Sequence, residues 1–160
     1  MTAESLNARL IAQLDALERA VSTAPADGLN HRPQADKWSA HDHVAHLACY
    51  HERFLERIRG ILSADRPGFR RYRAEEDPEW PAWQRLTTGE ALDRLRALRR
   101  KLIDGVASLT GSQLERVGVH PVFGPLTIPQ WIDFFLFHEG HHAYVVITLA
   151  WRGDAGGSSA

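Results

Sequence analysis

Residues 134–151, FFLFHEGHHAYVVITLAW, form a strongly apolar stretch with three histidines near its centre. At 100° per residue, His138 and His142 fall in the same arc of a helix as the large apolar side chains, and that arc is expected to face a core. A single buried histidine is usually a hydrogen-bonded core residue. Two imidazoles stacked one turn apart present four ring nitrogens, and one shared metal ion satisfies two of them. The stretch therefore predicts a core helix that also carries a metal site.

Three other segments show the amphipathic spacing of helices. Residues 3–22 place leucines at intervals of three and four, a second helix begins near the N-cap candidate Ser39, and a third follows the capping-box candidate Thr87. The histidine-bearing helix is predicted to run over residues 127–152. No segment shows strand alternation of useful length.

Four helices of about 20 residues can bury their apolar stripes only against one another. The prediction is an all-α protein, a four-helix bundle with long connecting loops, in a single domain over residues 1–152 with a flexible tail at 153–160. The longest connection, residues 64–86, has two interpretations. It is either a solvated loop that Trp80 and Trp83 pin to the bundle, or a lid or subunit contact.

Composition limits the classes of function. The chain has 160 residues, a formal net charge of -1 and a single cysteine, Cys49, so no intramolecular disulfide is available. A near-neutral chain has no basic footprint for nucleic acid or an anionic membrane. The first 20 residues lack the pattern of a signal peptide, and no apolar run is long enough to span a bilayer. We expect a cytoplasmic protein with a small-molecule substrate and neither a nucleic-acid nor a membrane partner.

The sequence HEGHH also fits the H-E-x-x-H pattern of zinc proteases, with Glu139 as general base. The longer form of that motif fails, because Val145 and Thr148 stand where a glycine and a third histidine are required. A third ligand must therefore come from upstream. Glu139 lies about 100° from the histidine arc. It is either a catalytic or ring-orienting carboxylate, or a carboxylate at the rim of the site.

The second helix offers four upstream histidines: His41, His43, His46 and His51. By helical angle, His43 and His51 fall inside the apolar stripe, whereas His46 lies at its margin. Periodicity alone leaves the choice among these three open.

Two stretches together resemble a known family: KWSAHDHVAHLACYHERF at 37–54 and FGPLTIPQWIDFFLFHEGHHAYVV at 123–146. They resemble the DinB-like (DinB/YfiT-like) superfamily of four-helix bundles proposed to be metalloenzymes. The shared motifs are a Trp-Ser pair before the second helix, a His-Leu pair two turns later, the FGP entry to the last helix, and His-x-x-x-His within it. The likeness spans roughly residues 5–152.

The resemblance implies a divalent metal, most often nickel or zinc and otherwise manganese or iron, held by His46, His138 and His142. Two positions depart from the family pattern. Cys49 stands where an acidic residue is common, and Val145 stands where glutamine is common. By helical angle Cys49 faces away from the core stripe, so we interpret it as a packing or interface residue before a ligand.

Three neutral nitrogen ligands leave a divalent ion its full charge and at least one open position, which suits activation of a water, a thiol or a carbonyl. The resemblance implies a thiol S-transferase using a low-molecular-weight thiol cosubstrate, or a hydrolase of small electrophilic molecules, and a homodimer. Two other interpretations stay open. One is a non-enzymatic, stress-related small-ligand-binding bundle with a structural or vestigial metal site, and the other is that the histidines are only polar core residues.

Overall fold

The computed structural model describes residues 1–152. Each long helix begins within a residue of its predicted start, and short elements occupy the connections. The long helices are α1 (Ala3–Ser22), α3 (Ala40–Ser63), α5 (Thr88–Ala107) and α7 (Ile128–Arg152). The short helices are α2 (Ala26–Asn30), α4 (Trp80–Gln84) and α6 (Gly111–Leu114), with a 3₁₀ turn at Ala74–Glu76.

Side-chain caps fix the start of α3 and α5. In α3 the Asp42 backbone N–H donates to Ser39 Oγ at 3.1 Å, and the Asp42 carboxylate accepts from the Ser39 backbone N–H at 2.9 Å. Thr87 and Glu90 form the same reciprocal capping box before α5. These bonds satisfy backbone donors that a helix terminus otherwise leaves unpaired.

The long helices form a four-helix bundle, which confirms the predicted fold class. α1 and α3 each pack against both α5 and α7, so α1 and α3 lie diagonally across the bundle. The core between them is made of fully buried apolar side chains, including Leu6, Leu10, Leu17, Leu47, Phe54, Leu95, Leu102 and Phe135. The short helix α2 packs against α3 and α7.

One buried arginine on α5 contacts all three other long helices. Arg99 is fully buried, and its guanidinium donates to the Leu10 carbonyl of α1, to His51 Nε2 of α3 and to the Glu139 carboxylate of α7. His51 Nδ1 lies 2.7 Å from the Leu47 carbonyl. A carbonyl can only accept, so His51 carries its hydrogen on Nδ1 and is a neutral acceptor for Arg99.

A short antiparallel hairpin precedes α7, made of β1 (Val117–His120) and β2 (Gly124–Thr127). The sequence shows no strand alternation of useful length here, because strands of four residues are too short to display one. Gly124 supplies the positive φ of 72° at the turn. The indole of Trp131 donates to the Gly118 carbonyl at 3.3 Å, which fixes the hairpin against α7.

Residues 64–86 lie along α3 and are held there at several points. Trp80 and Trp83 are buried, which agrees with the interpretation that they pin this segment to the bundle. The Asp77 carboxylate accepts from Arg53 Nε of α3 at 3.0 Å. The segment is thereby fixed beside the cavity described below.

No helix within residues 1–152 has the length and apolarity needed to cross a membrane. The predicted flexible tail at 153–160 lies outside the described residues.

Candidate metal centre

α3 and α7 bring His46, His138 and His142 together, so that one ring nitrogen from each lies within 4.8 Å of the other two. His46 Nε2 and His138 Nε2 are 3.3 Å apart. Nitrogens bound at about 2.1 Å in a tetrahedral zinc site would be about 3.4 Å apart. The spacing therefore fits a divalent ion between the rings.

The protonation of these rings also suits metal binding. Burial is the main cause that lowers the pKa of each ring, to about 3 for His46, about 4 for His138 and about 2 for His142, and neighbouring imidazoles lower each further. All three are neutral at pH 7. Within the described residues, the buried Nδ1 atoms of His46 and His138 have no hydrogen-bond partner. If each neutral ring carries its hydrogen on Nδ1, both facing Nε2 atoms have a lone pair directed at the other. A cation between them would accept both lone pairs.

The structure separates the three candidates on α3 that the sequence left open. His46 joins the cluster, whereas His51 has its Nε2 covered by the Arg99 guanidinium. His43 lies behind the cluster, with its Nδ1 2.8 Å from His142 Nδ1. The cluster sits at the edge of the core rather than in its middle. On α3, the histidine at the margin of the apolar stripe, His46, therefore reaches the cluster, whereas His43 and His51 inside the stripe do not.

The contact between His43 and His142 can orient the His142 ring. One of the two Nδ1 atoms must donate, and a hydrogen on His142 Nδ1 leaves the Nε2 lone pair free. Metal-bound histidines usually donate their other N–H to a neighbouring acceptor in this way. Trp38 packs against both His43 and His46, with ring centroids 5.3 and 5.0 Å away, and restricts their rotation.

The structure places Glu139 outside the cluster and in an ion pair. Its side chain is fully buried against Arg99, with His51 Nε2 3.6 Å from its Oε1. The interpretation as a rim carboxylate is wrong, because α7 turns this residue towards α5 rather than towards the cavity. Glu139 does not line the cavity, and the ion pair replaces the catalytic role that the sequence suggested.

A cavity of about 530 Å³ opens over the three histidines. Its walls come from α3, α7, the segment 71–75 and the hairpin turn 120–123. Beside the histidines, the lining combines aromatic and charged side chains, including Trp38, Tyr50, Arg57, Arg71, Arg73, Glu75, His120, Phe123 and Phe134.

Sequence reasoning missed two cavity residues, Arg57 and His120. Tyr50 and Arg57 follow His46 by four and eleven residues, so helical periodicity places all three on one face of α3. That signal could have identified Arg57. His120 reaches the cavity only through the hairpin, which the sequence did not predict. His141, the third histidine of the HEGHH stretch, is exposed and does not line the cavity.

Cys49 faces the segment 64–86 rather than the histidines. Its Sγ lies 3.0 Å from the Tyr72 hydroxyl, and the residue is fully buried. Burial raises the pKa of this thiol to about 11, so it is protonated at pH 7. A protonated thiol is neither a good metal ligand nor a good nucleophile. The structure therefore agrees with a packing role.

We expect Cys49 to resist alkylation in the folded protein. With a pKa of about 11, roughly 1 in 10⁴ molecules carries the thiolate at pH 7. The rate with iodoacetamide, followed by intact mass, should be at least about 100-fold lower in the native chain than in urea. Equal rates in the two conditions would show that the segment over Cys49 is open in solution.

Comparisons with known proteins agree with the four-helix-bundle fold. A family model described as the DinB superfamily matches residues 9–146. The uncharacterized protein YuaE of Bacillus subtilis is 30% identical over 129 residues, covering 71% of this chain and 78% of that protein. "Putative metal-dependent hydrolase OB0782" of Oceanobacillus iheyensis is 24% identical over 119 residues, covering 73% of this chain and 67% of that protein. Among solved structures, YfiT from Bacillus subtilis, described as "a probable metal-dependent hydrolase with an unusual four-helix bundle topology", superposes with a TM-score of 0.78 at 20% identity, covering 95% of this chain and 87% of YfiT.

Proposed function

Since this chain belongs to the DinB superfamily, we propose that it is a metal-dependent enzyme with a divalent ion held by His46, His138 and His142. The observation that carries the proposal is the meeting of three neutral imidazole nitrogens beside a cavity large enough for a small molecule. The relatives named for metal-dependent hydrolysis support the same class of chemistry.

The chemistry proposed is attack on a small electrophilic molecule by a water or by a low-molecular-weight thiol. A divalent ion with three neutral ligands keeps its full charge and open positions, and so supplies activation of the nucleophile or of a substrate carbonyl. The chain's own residues hold the site in place. Trp38 packs against His46 and His142, His43 contacts His142, and Phe134 offers an apolar surface beside these rings. Nickel and zinc are the proposed ions, since both suit imidazole ligands.

The test is a turnover screen on the full chain reconstituted separately with nickel, zinc, manganese and iron. One arm supplies activated esters and amides, and the other supplies small thiols with alkylating electrophiles. We expect turnover in one arm that a chelator removes and that His138→Ala abolishes, while His141→Ala on the same helix retains it. Tight binding of small ligands without turnover in either arm would instead support the non-enzymatic binding bundle.

We also propose a homodimer, on different grounds from those in the sequence. One interpretation of segment 64–86 is a subunit contact, but its two tryptophans, Trp80 and Trp83, are buried. The outer face of α7 instead exposes Phe137, Tyr144 and Trp151 by 77%, 68% and 53% at intervals of seven residues. Such a stripe on one helix suits packing against a second copy.

Light scattering at tens of micromolar should give the mass of a dimer for the wild type. Phe137→Glu combined with Tyr144→Glu should give a monomer with unchanged helical content, because a charge in an apolar contact is costly. A wild type that remains monomeric at this concentration would contradict the proposal.

A further inference from the structure

Among the side chains that the structure describes, two arginines are buried, and only one of them has a carboxylate partner. Arg99 pairs with Glu139 in the core. Arg57 is 7% exposed, yet its guanidinium bonds only to neutral oxygens, the Tyr50 hydroxyl at 2.8 Å and the Arg70 carbonyl at 3.0 Å. It forms no ion pair with any carboxylate in residues 1–152. A buried cation without an anion is costly, so this position calls for a further partner.

Aromatic rings hold the Arg57 guanidinium at the cavity wall. Its Cζ lies 5.5 Å from the Tyr50 ring centroid, 5.6 Å from that of Trp131 and 6.0 Å from that of Phe69. These contacts offset part of the desolvation cost and restrict rotation of the side chain. A guanidinium has five N–H donors. The two hydrogen bonds to Tyr50 and Arg70 leave three of them without an acceptor in residues 1–152.

His120 adds a second donor to the same cavity. Its Nδ1 accepts the backbone N–H groups of Val122 and Phe123 at 3.1 and 3.2 Å. A ring nitrogen that accepts carries no hydrogen, so the hydrogen of the neutral ring is on Nε2. Both His120 and Arg57 contact Trp131 and line the cavity.

The wider charge around the cavity has the same sign. Arg71 and Arg73 also line it, Arg73 in an exposed ion pair with Glu76, and Glu75 is the one acidic residue among the described lining side chains. The three arginines still outnumber these two carboxylates. The cavity is therefore electropositive before any metal charge is added. This distribution favours anionic ligands and disfavours cationic ones.

We infer that Arg57 binds an oxyanion group, a carboxylate or a phosphate, on the small molecule that occupies this cavity. The ligand supplies the negative charge that the protein leaves out, and Phe123 and Phe134 offer surfaces for its apolar part. Binding of the oxyanion does not require the metal. The inference rests on the proposed function only in taking the bound molecule to be the substrate. Arg57 is thus a specificity-determining residue for negatively charged electrophiles.

The test compares benzoate with benzamide, its neutral isostere, by calorimetry on the full chain freed of metal with a chelator. We expect wild type to bind benzoate at least about 10-fold more tightly than benzamide, as charge-assisted hydrogen bonds are stronger than neutral ones. Arg57→Gln should remove this preference, while Arg59→Gln, an exposed arginine two residues along the same helix, should keep it. A third titration with inorganic phosphate shows which oxyanion fits better.

A measurement on wild type guards against misfolding of Arg57→Gln. The Arg57 Nε–H resonance should shift on addition of benzoate and stay in place with benzamide. The calorimetry uses protein without metal, so its result does not depend on the proposed function. A preference for benzoate together with no turnover in any metal-loaded form would leave the inference standing and contradict the proposed function. Equal affinities for benzoate and benzamide in wild type, or an unchanged preference in folded Arg57→Gln, would overturn the inference.

Discussion

Replacing His142 with alanine is expected to remove stoichiometric metal from the protein. The three ligand nitrogens lie within 4.8 Å of one another, and α7 supplies two of them. If the binding energy of a zinc site is shared among its ligands, each contributes about 3 kcal/mol, so affinity should fall at least about 100-fold. Elemental analysis of protein purified without a histidine tag measures the loss. His46→Ala should behave in the same way.

Two neighbouring histidines provide matched controls for this experiment. His141→Ala removes an exposed imidazole next to His142 and should keep the metal. His43→Ala removes the orienting contact at 2.8 Å and should weaken binding by about 10- to 100-fold without abolishing it.

Thermal unfolding distinguishes a metal site from histidines that are only polar core residues. Metal added at about 100 times its Kd should stabilise wild type by about 2.7 kcal/mol, and His142→Ala should gain nothing. A wild type that neither carries metal nor is stabilised by added nickel or zinc would refute the metal centre.

Replacing Glu139 with glutamine is expected to destabilise the fold by about 3–5 kcal/mol, because it leaves the Arg99 charge buried without a counter-ion. Arg99→Met should cost a similar amount, as it leaves the Glu139 carboxylate unpaired and removes the hydrogen bonds to α1 and α3. Urea unfolding followed by circular dichroism gives both values.

The double variant Arg99→Met with Glu139→Leu should recover much of the lost stability, since it removes both buried charges and fills the space with apolar atoms. The exposed ion pair between Arg73 and Glu76 is the control, and Glu76→Gln should change stability by less than about 1 kcal/mol. A change of that small size for Glu139→Gln would mean that the pair is hydrated in solution.

The long helices and the histidines of α7 could be predicted from the sequence because both are local properties. Apolar spacing and the capping residues Ser39 and Thr87 fix where helices lie, and the interval of four residues puts His138 and His142 on one face. The predicted triad with His46 relied on family resemblance. Helical angle alone favoured His43 and His51, because it locates the centre of the apolar stripe and not the place where another helix crosses it.

The rest depends on contacts between distant parts of the chain. The position of Glu139 in an ion pair depends on Arg99, which lies 40 residues away on another helix. No sequence periodicity relates the two residues. The hairpin could not be predicted because its strands are too short to show a pattern. The position of His120 beside the cavity could therefore not be predicted either. Arg57 is buried only because Phe69 and Arg70 of segment 64–86 pack against it, and no local pattern indicates that contact.

The three clustered histidines and one part of the cavity wall belong to different parts of the fold. All three histidines stand on α3 and α7, which the core and the Arg99 network hold in place. Arg71, Arg73 and the turn at 120–123 belong instead to connecting segments. Descendants of this chain can therefore exchange the connecting segments, and with them part of the surface that a ligand contacts, while keeping the three histidines and Arg57 unaltered. The same division makes segments 71–75 and 120–123 the natural places to randomise when a new substrate is sought.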